Sequence, residues 1–393
     1  MEAMGLTDEK FLGTATAMSP DFRRLMKPTH TNGSDAMEIY YWCTGQDDNI
    51  GDVVLRRRLL EVLHDASPDS GKSVHIYVGA ASSSFVEGLE VPAKAKIYTA
   101  KIRWYLALVK QIFTPRPPVL VLNPGEVQRN AHTILAYTLL MLPSMAIRLR
   151  GGAIVRTGIA IDHRGAGLTA KIAKLVVRLN SVLASEATFR DIASHREFGH
   201  GRIVPDWAIH EPSNSKVGTE RDVIAVTFRS DRPEAYDDKT IDQIQRLATK
   251  LQANVTVFCQ VRRDSTAMKQ LSLAAGWSFI DWPLSLSHND QEKIVRDLFS
   301  KSVVVCSNRI HALIIGLTEG AQAICISSES EPKVRTHLEY FGLATVLDAN
   351  GSIAGNVGSG ASEFRAQSGA LAKASADVAN LASQVKKIVG ASS

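Results

Sequence analysis

The second half of this 393-residue chain alternates short apolar runs with segments of helical length, and that alternation limits its possible folds more than any other feature. Apolar runs fall at 223–228, 255–258, 279–280, 303–306 and 323–326, with helical patterns at 238–251, 265–275, 290–300, 311–319 and 332–341. Strands that return only after a helix-length crossover pair in parallel, so the pattern means βαβ units on a parallel sheet. The first half carries the same alternation less regularly. Strand candidates lie at 39–43, 74–78, 119–122 and 153–161, Asp52 opens a helical run over 53–63, and 202–209 closes this half. Between the halves, 211–220 (EPSNSKVGTE) holds Pro, Gly and Ser without a hydrophobic period, which marks a linker.

Length alone calls for two domains. We expect a poorly ordered leader at 1–36, an α/β domain at 37–210, a second at 221–350 and a final helix at 361–393 that docks back on the body. That helix carries Leu371, Val378, Leu381, Val385 and Ile388 at spacings of seven, three, four and three, a stripe that has to be buried. No internal repeat is visible. Cys43, Cys259, Cys306 and Cys325 sit in or beside apolar runs without metal-ligand spacing and read as reduced thiols, which suits the cytoplasm. The leader has no secretory apolar segment, and the longest apolar stretch, 134–147, is interrupted by Pro143 and too short to span a bilayer. The expectation is a soluble, cytoplasmic protein.

In an open parallel sheet, ligands sit outside the carboxyl ends of the strands. The run at 303–306 is followed by Arg309 and His311, where the next helix begins, and the run at 223–228 ends in Arg229. A helix N-terminus with an arginine beside it favours phosphate or carboxylate. Burying a cation and an imidazole between apolar stretches is costly unless something pairs with them. Both arginines should therefore reach one crevice, which implies a small ligand with two anionic groups.

From these residues a resemblance emerges. SNRIHALIIGLTEG at 307–320, followed by AICIS and by EPK at 331–333, resembles the C-terminal signature of the polysaccharide pyruvyl transferases. NIGD at 49–52, FRDIAS at 189–194 with VPD at 204–206, and VTFR at 226–229 resemble further segments of that family, in the same order. The loop at Asn123–Glu126 departs from it, since a more glycine-rich segment is expected there. The resemblance implies two Rossmann-like α/β domains facing a cleft, similar to the GT-B glycosyltransferase fold. It further implies transfer of pyruvate from phosphoenolpyruvate onto two hydroxyls of a hexose in a polysaccharide or cell-wall glycan precursor. Arg229, Arg309, Ser307 and Lys333 would then hold phosphoenolpyruvate and His311 would be catalytic. Asp52 would take a catalytic or acceptor-side role, with a helix cap as its alternative. Asn49, Arg190, Asp191 and Asp206 are further candidates; Arg190 and Asp191 read equally as partners of each other or of a helix end. Phosphoenolpyruvate is the donor substrate, and nothing in the spacing of Asp, Glu, His or Cys demands a cofactor or metal.

Two rival readings are available. A glycosyltransferase using a nucleotide sugar on the same fold needs an acidic residue gripping a ribose, for which Asp281 is placed near a strand end. A non-enzymatic binder of nucleic acid or another anionic polymer fits poorly, because nucleic-acid motifs and interleaved aromatic platforms are absent.

Charge is segregated along the chain. Residues 91–185 hold 14 Lys and Arg but only Glu126 and Asp162, a balance of +12 in a chain of net charge +5. Within this window, 99–113 (TAKIRWYLALVKQIF) sets Lys101, Arg103 and Lys110 among Trp104, Tyr105, Leu106 and Phe113. Basic residues beside Trp and Leu suit a helix lying on an anionic membrane, although the same residues can face a core with their cations solvated. We expect peripheral contact with an anionic bilayer and a lipid-linked oligosaccharide as acceptor.

Overall fold

The computed structural model describes residues 38–66, 73–162, 167–210, 220–231, 237–326, 332–347 and 361–391. The expected leader, most of the linker at 211–220 and the Gly/Ser stretch at 351–360 lie outside the described residues. The first sheet comprises β1 (Ile39–Trp42), β2 (Val74–Tyr77), β3 (Lys96–Tyr98), β4 (Val119–Leu122), β5 (Gly125–Val127), β6 (Ala153–Ile161), β7 (Glu186–Phe189) and β8 (Arg202–Ile203). Their order is 3-2-1-4-6-7-8, with β5 paired to β6. The second sheet comprises β9 (Val223–Thr227), β10 (Asn254–Phe258), β11 (Ser278–Ile280), β12 (Ser302–Ser307), β13 (Gln322–Ile326) and β14 (Thr345–Leu347), in the order 11-10-9-12-13-14. The strands within each sheet pair in parallel. Each sheet reverses its order once, between β1 and β4 and between β9 and β12, and those switch points open the crevices in which such sheets bind ligands.

The first domain carries helices α1 (Ile50–Asp65), α2 (Ser83–Gly88), α3 (Lys101–Ile112), α4 (Ala131–Leu149), α5 (Leu168–Val182) and α6 (Ile192–Phe198). The second carries α7 (Asp238–Leu251), α8 (Ser265–Ala275), α9 (His288–Ser300), α10 (Ile310–Thr318), α11 (Pro332–Tyr340) and the closing α12 (Ala361–Ala391). Two details differ from what the sequence led us to expect. Helix α1 begins at Ile50, and its N-cap is Asn49, whose Oδ1 accepts the Gly51 N–H at 3.0 Å; Asp52 sits in the first turn instead, where the helix dipole favours a carboxylate. Residues 202–209, which close the first half, form the short β8 and lead into a 3₁₀ turn at Trp207–His210.

The second difference concerns Pro143, which does not end its helix. A proline removes one N–H and leaves the carbonyl four residues earlier without its partner. Here the Tyr105 hydroxyl donates to Leu139 O at 3.0 Å, so that carbonyl is satisfied and α4 runs on for 19 residues. By length and composition α4 could cross a membrane, but Tyr137, Leu140 and Ile147 pack it onto the first sheet.

One apolar core runs through both domains, joining Val53 and Phe85 of the first to Phe258, Trp282 and Phe299 of the second. The opposite face of the first sheet is covered by α3, α4 and α5 through Trp104, Tyr137 and Val177. Helix α12 spans the two halves. Near its start the Gln367 side chain bonds both Ala323 N and O, at 3.2 and 3.1 Å, and near its end Lys386 pairs with Asp65 at 3.0 Å. A buried charge network also crosses the interface. Arg57 of α1 binds Glu292 of α9 through two nitrogens, at 3.0 and 2.7 Å; Arg296 joins Glu292 at 2.9 Å and Glu319 at 2.6 Å.

Candidate functional site

Loops leaving the carboxyl ends of strands in both sheets enclose a cavity of about 650 Å³. Its second-domain wall is organised by the turn after β12. Ser307 is fully buried; its hydroxyl donates to Thr227 O at 2.6 Å and accepts the Arg309 N–H at 2.9 Å, tying this turn to β9. Ser307 therefore shapes the turn and does not line the cavity, contrary to the role given to it in donor binding. Past it, Arg309 takes the N-cap position of α10 and His311 falls in the first helical turn.

The His311 ring is wedged between the two domains. A β-carbon added to Gly51 would stand 2.2 Å from His311 Nδ1, so this position must be glycine for α1 to approach the ring. On the other side, Nε2 lies 3.6 Å from Asp206 Oδ2, beyond hydrogen-bond reach, and has no hydrogen-bond partner among the described residues. Asp206 itself accepts from Arg190 Nη1 at 2.6 Å and from the Ala208 N–H at 3.0 Å. Burial alone would raise the Asp206 pKa, but His311 and Arg190 outweigh it and hold the carboxyl well below the usual range. A permanent negative charge therefore stands beside the imidazole.

Across the cavity, Asp52 accepts the Gln46 N–H at 2.6 Å and lies 3.2 Å from Arg56. Burial pushes its pKa up, while Arg56 and then His311 pull it down further, so it too stays ionised. Asn49 has a second role beyond capping: its Oδ1 also accepts from Gln260 Nε2 at 3.3 Å, part of a seam in which Arg263 grips Asp48 through bonds of 2.7 and 2.6 Å.

Arg229 and Arg309 both line the cavity, but neither is held open by its surroundings. Arg229 forks onto Asp231 at 2.9 and 2.7 Å, and Arg309 pairs with Asp264, a fully buried carboxylate that also accepts from Ser230. Arg309 Nε is buried without a hydrogen-bond partner among the described residues. Among the described residues, five arginines and five carboxylates line the cavity, so it is no simple anion trap: an incoming anion has to share or displace carboxylates already present.

Arg190 and Asp191 do not pair with each other. Arg190 serves Asp206, while Asp191 caps α6, accepting the Ser194 N–H and hydroxyl, both at 2.7 Å. The side chain of Lys333 lies outside the described residues. Arg56, Asp231, Arg263, Asp264 and His337 were not foreseen. Arg263 and Asp264 follow the apolar run at 255–258, so the end-of-strand rule applied to Arg229 and Arg309 would have reached them. His337 had no comparable signal, lying mid-helix on α11.

The His337 ring is buried, with Nδ1 donating to Arg190 O, and burial pushes its pKa down to about 4. The unfolded chain then binds a proton that the folded chain refuses between about pH 6.5 and 4. Stability should be unaffected by this group above pH 6.5 and should fall below it, by up to ~3 kcal/mol near pH 4. His337→Gln keeps a donor but cannot titrate; denaturant unfolding should show a shallower loss for this variant over that window. Equal slopes for the two proteins would mean that His337 is not held neutral.

No family model and no curated protein matches the chain. Solved structures do. The Staphylococcus aureus MnaA–UDP structure is 11% identical, with a TM-score of 0.53, over 89% of this chain and 96% of that one. A putative UDP-N-acetylglucosamine 2-epimerase from Listeria monocytogenes is 10% identical, with a TM-score of 0.51, over 90% and 91%. Anabaena Alr3699/HepE in complex with UDP and glucose is 12% identical, with a TM-score of 0.50, over 90% and 100%. At such identities the likeness speaks for the fold alone: two Rossmann-like domains facing a cleft, in the GT-B arrangement.

Proposed function

We propose that the chain is a transferase that moves pyruvate from phosphoenolpyruvate onto two hydroxyls of a sugar as a ketal, releasing phosphate. One observation carries this reading: His311, whose Nε2 has no hydrogen-bond partner among the described residues and stands beside an ionised Asp206, lines the same cavity that Arg229 and Arg309 line. Phosphoenolpyruvate brings a carboxylate and a phosphate for two guanidinium forks. Burial depresses the Arg309 pKa, Asp264 offsets this, and the Arg229 charge adds to the depression; an anion between the arginines relieves both penalties.

The chemistry follows from these groups. A sugar hydroxyl oxygen bonds to C2 of the enol while His311 delivers a proton to the methylene carbon. Asp52, ionised and lining the same cavity, would take the hydroxyl proton. A second hydroxyl then displaces phosphate from C2, its proton leaving with the phosphate, whose developing charge the arginines stabilise.

A second reading has one observation in its favour: two solved structures of the same fold carry UDP. A nucleotide-sugar donor needs an acidic residue for the ribose. Asp281 does not meet that need, because it accepts from the Ser265 hydroxyl and the Trp282 N–H and does not line the cavity.

Thermal unfolding separates the two. A ligand at a hundredfold excess over its Kd stabilises by about 2.7 kcal/mol. Phosphoenolpyruvate should raise the melting temperature, and UDP-sugars should not. Arg229→Ala should weaken donor binding by ~1.5–3 kcal/mol, more than tenfold at mid-range. Because Arg309→Ala would strand buried Asp264, Arg309→Lys is the better second variant. Stabilisation by a UDP-sugar and none by phosphoenolpyruvate would overturn the proposal in favour of the second reading.

A further inference from the structure

Helices α3, α4 and α5 lie side by side over the outer face of the first sheet. The Tyr105 hydroxyl ties α3 to α4 at Leu139 O, and Asn180 ties α5 to α4 at Tyr137 O, at 3.0 Å each. Their inner stripes are core, but their outer stripes are apolar as well. On α4, Leu135, Leu142 and Leu149 follow at seven-residue intervals, two turns apart, and are 59, 75 and 85% exposed. On α5, Leu168, Leu175 and Val182 repeat that spacing. On α3 and its cap, Leu106 and Phe113 do the same. Thirteen of the seventeen large hydrophobic side chains exposed among the described residues belong to this one face, so it is a patch rather than scatter.

The charges of the face have one sign. None of the three helices contains an Asp or Glu. Arg103, Lys110, Arg148, Arg150, Lys171 and Arg178 are all exposed on them or at their ends. An ordinary solvated helix face mixes both signs, and a face shared with a second copy would set cations against cations. Apolar stripes rimmed by cations alone match a surface that is apolar within and anionic outside.

We propose that the outer face of α3, α4 and α5 docks the protein onto the surface of an anionic bilayer, with α4 lying flat in the interface rather than crossing it. The same helices reach toward the cleft. Lys101 of α3 and His132 of α4 line a second cavity of about 330 Å³ with Trp42 and Tyr77, and Thr44 and Gly45 line both this cavity and the main one. Docking by this face would bring the second cavity, which shares lining residues with the cleft, close to the membrane surface. The inference does not depend on which donor the cleft takes.

Sedimentation of the full chain with vesicles tests it. The protein should pellet with vesicles of phosphatidylcholine mixed with phosphatidylglycerol, should stay in solution with phosphatidylcholine alone, and should be released as salt shortens the screening length. Leu142→Ser combined with Leu175→Ser removes apolar contact from two exposed stripes without touching the core. It should weaken vesicle binding by ~tenfold or more with the melting temperature unchanged. Absence of binding to the mixed vesicles, or binding that the double substitution does not weaken, overturns the proposal. A dimer in solution that the same substitutions dissociate, without vesicle binding, would also overturn it by assigning the face to a second copy.

Discussion

His311→Ala should keep the fold and the affinity for the donor while lowering turnover by ~10²–10⁴-fold, the usual loss when a positioned proton donor is removed. The fold should survive because His311 Nε2 has no hydrogen-bond partner to lose among the described residues, and Asp206 keeps its bonds to Arg190 and to the Ala208 N–H. Phosphate release from phosphoenolpyruvate in the presence of an accepted sugar measures turnover, and calorimetry measures donor affinity. A companion variant separates chemistry from placement. Gly51→Ala leaves the imidazole intact but sets a methyl group 2.2 Å from where Nδ1 now stands, so the ring has to leave its present place between the domains. Its turnover should fall as well, with donor affinity again preserved. Near wild-type turnover in His311→Ala would make the histidine a packing residue and remove the proposed proton donor.

Glu292→Leu should destabilise the protein by ~3–5 kcal/mol, the range found when one partner of a buried ion pair is removed and the other is left behind. Glu292 holds Arg57 from one domain and Arg296 from its own, and all three are less than a tenth exposed. Burial raises the Glu292 pKa, but Arg57 and then Arg296 outweigh it and keep the carboxyl below its ordinary value. The contribution of this group is therefore complete above the unfolded-state carboxyl pKa and lost as pH falls through the lower folded value. Arg296 keeps Glu319 in the variant, whereas Arg57 loses its bidentate partner, so the damage should centre on the domain interface. Denaturant unfolding of the wild type and of Glu292→Leu measures the loss, and Arg57→Met added to Glu292→Leu should recover most of it. A loss below about 1 kcal/mol would place the pair among weak surface-type bridges.

Much of the architecture was legible because it rests on local periodicity. The apolar runs at 223–228, 255–258, 303–306 and 323–326 became β9, β10, β12 and β13 almost residue for residue, since a strand buried on both faces must be apolar throughout. Short strands such as β3 (KIY), β5 (GEV) and β7 (EATF) left no such trace, being too brief or too mixed to show a period. Pro143 misled because the chain's own breaking signal was cancelled by a hydroxyl 38 residues earlier, on another helix.

The candidate site divides along the same line. The end-of-strand rule is a property of topology, and topology follows from the order of strands and helices, so Arg229, Arg309 and His311 could be brought to one crevice without coordinates. Which of their atoms are free could not. That Arg229 is already clasped by Asp231, that Ser307 turns inward to Thr227, and that Asp206 stands beside His311 are facts of groups 2 to 105 residues apart. The basic segment at 91–185 was visible as charge, yet charge along a chain has no direction. Only the packing of α3, α4 and α5 decided that their leucines stand outward with the cations, because a helix apolar on two sides can bury just one of them against a sheet.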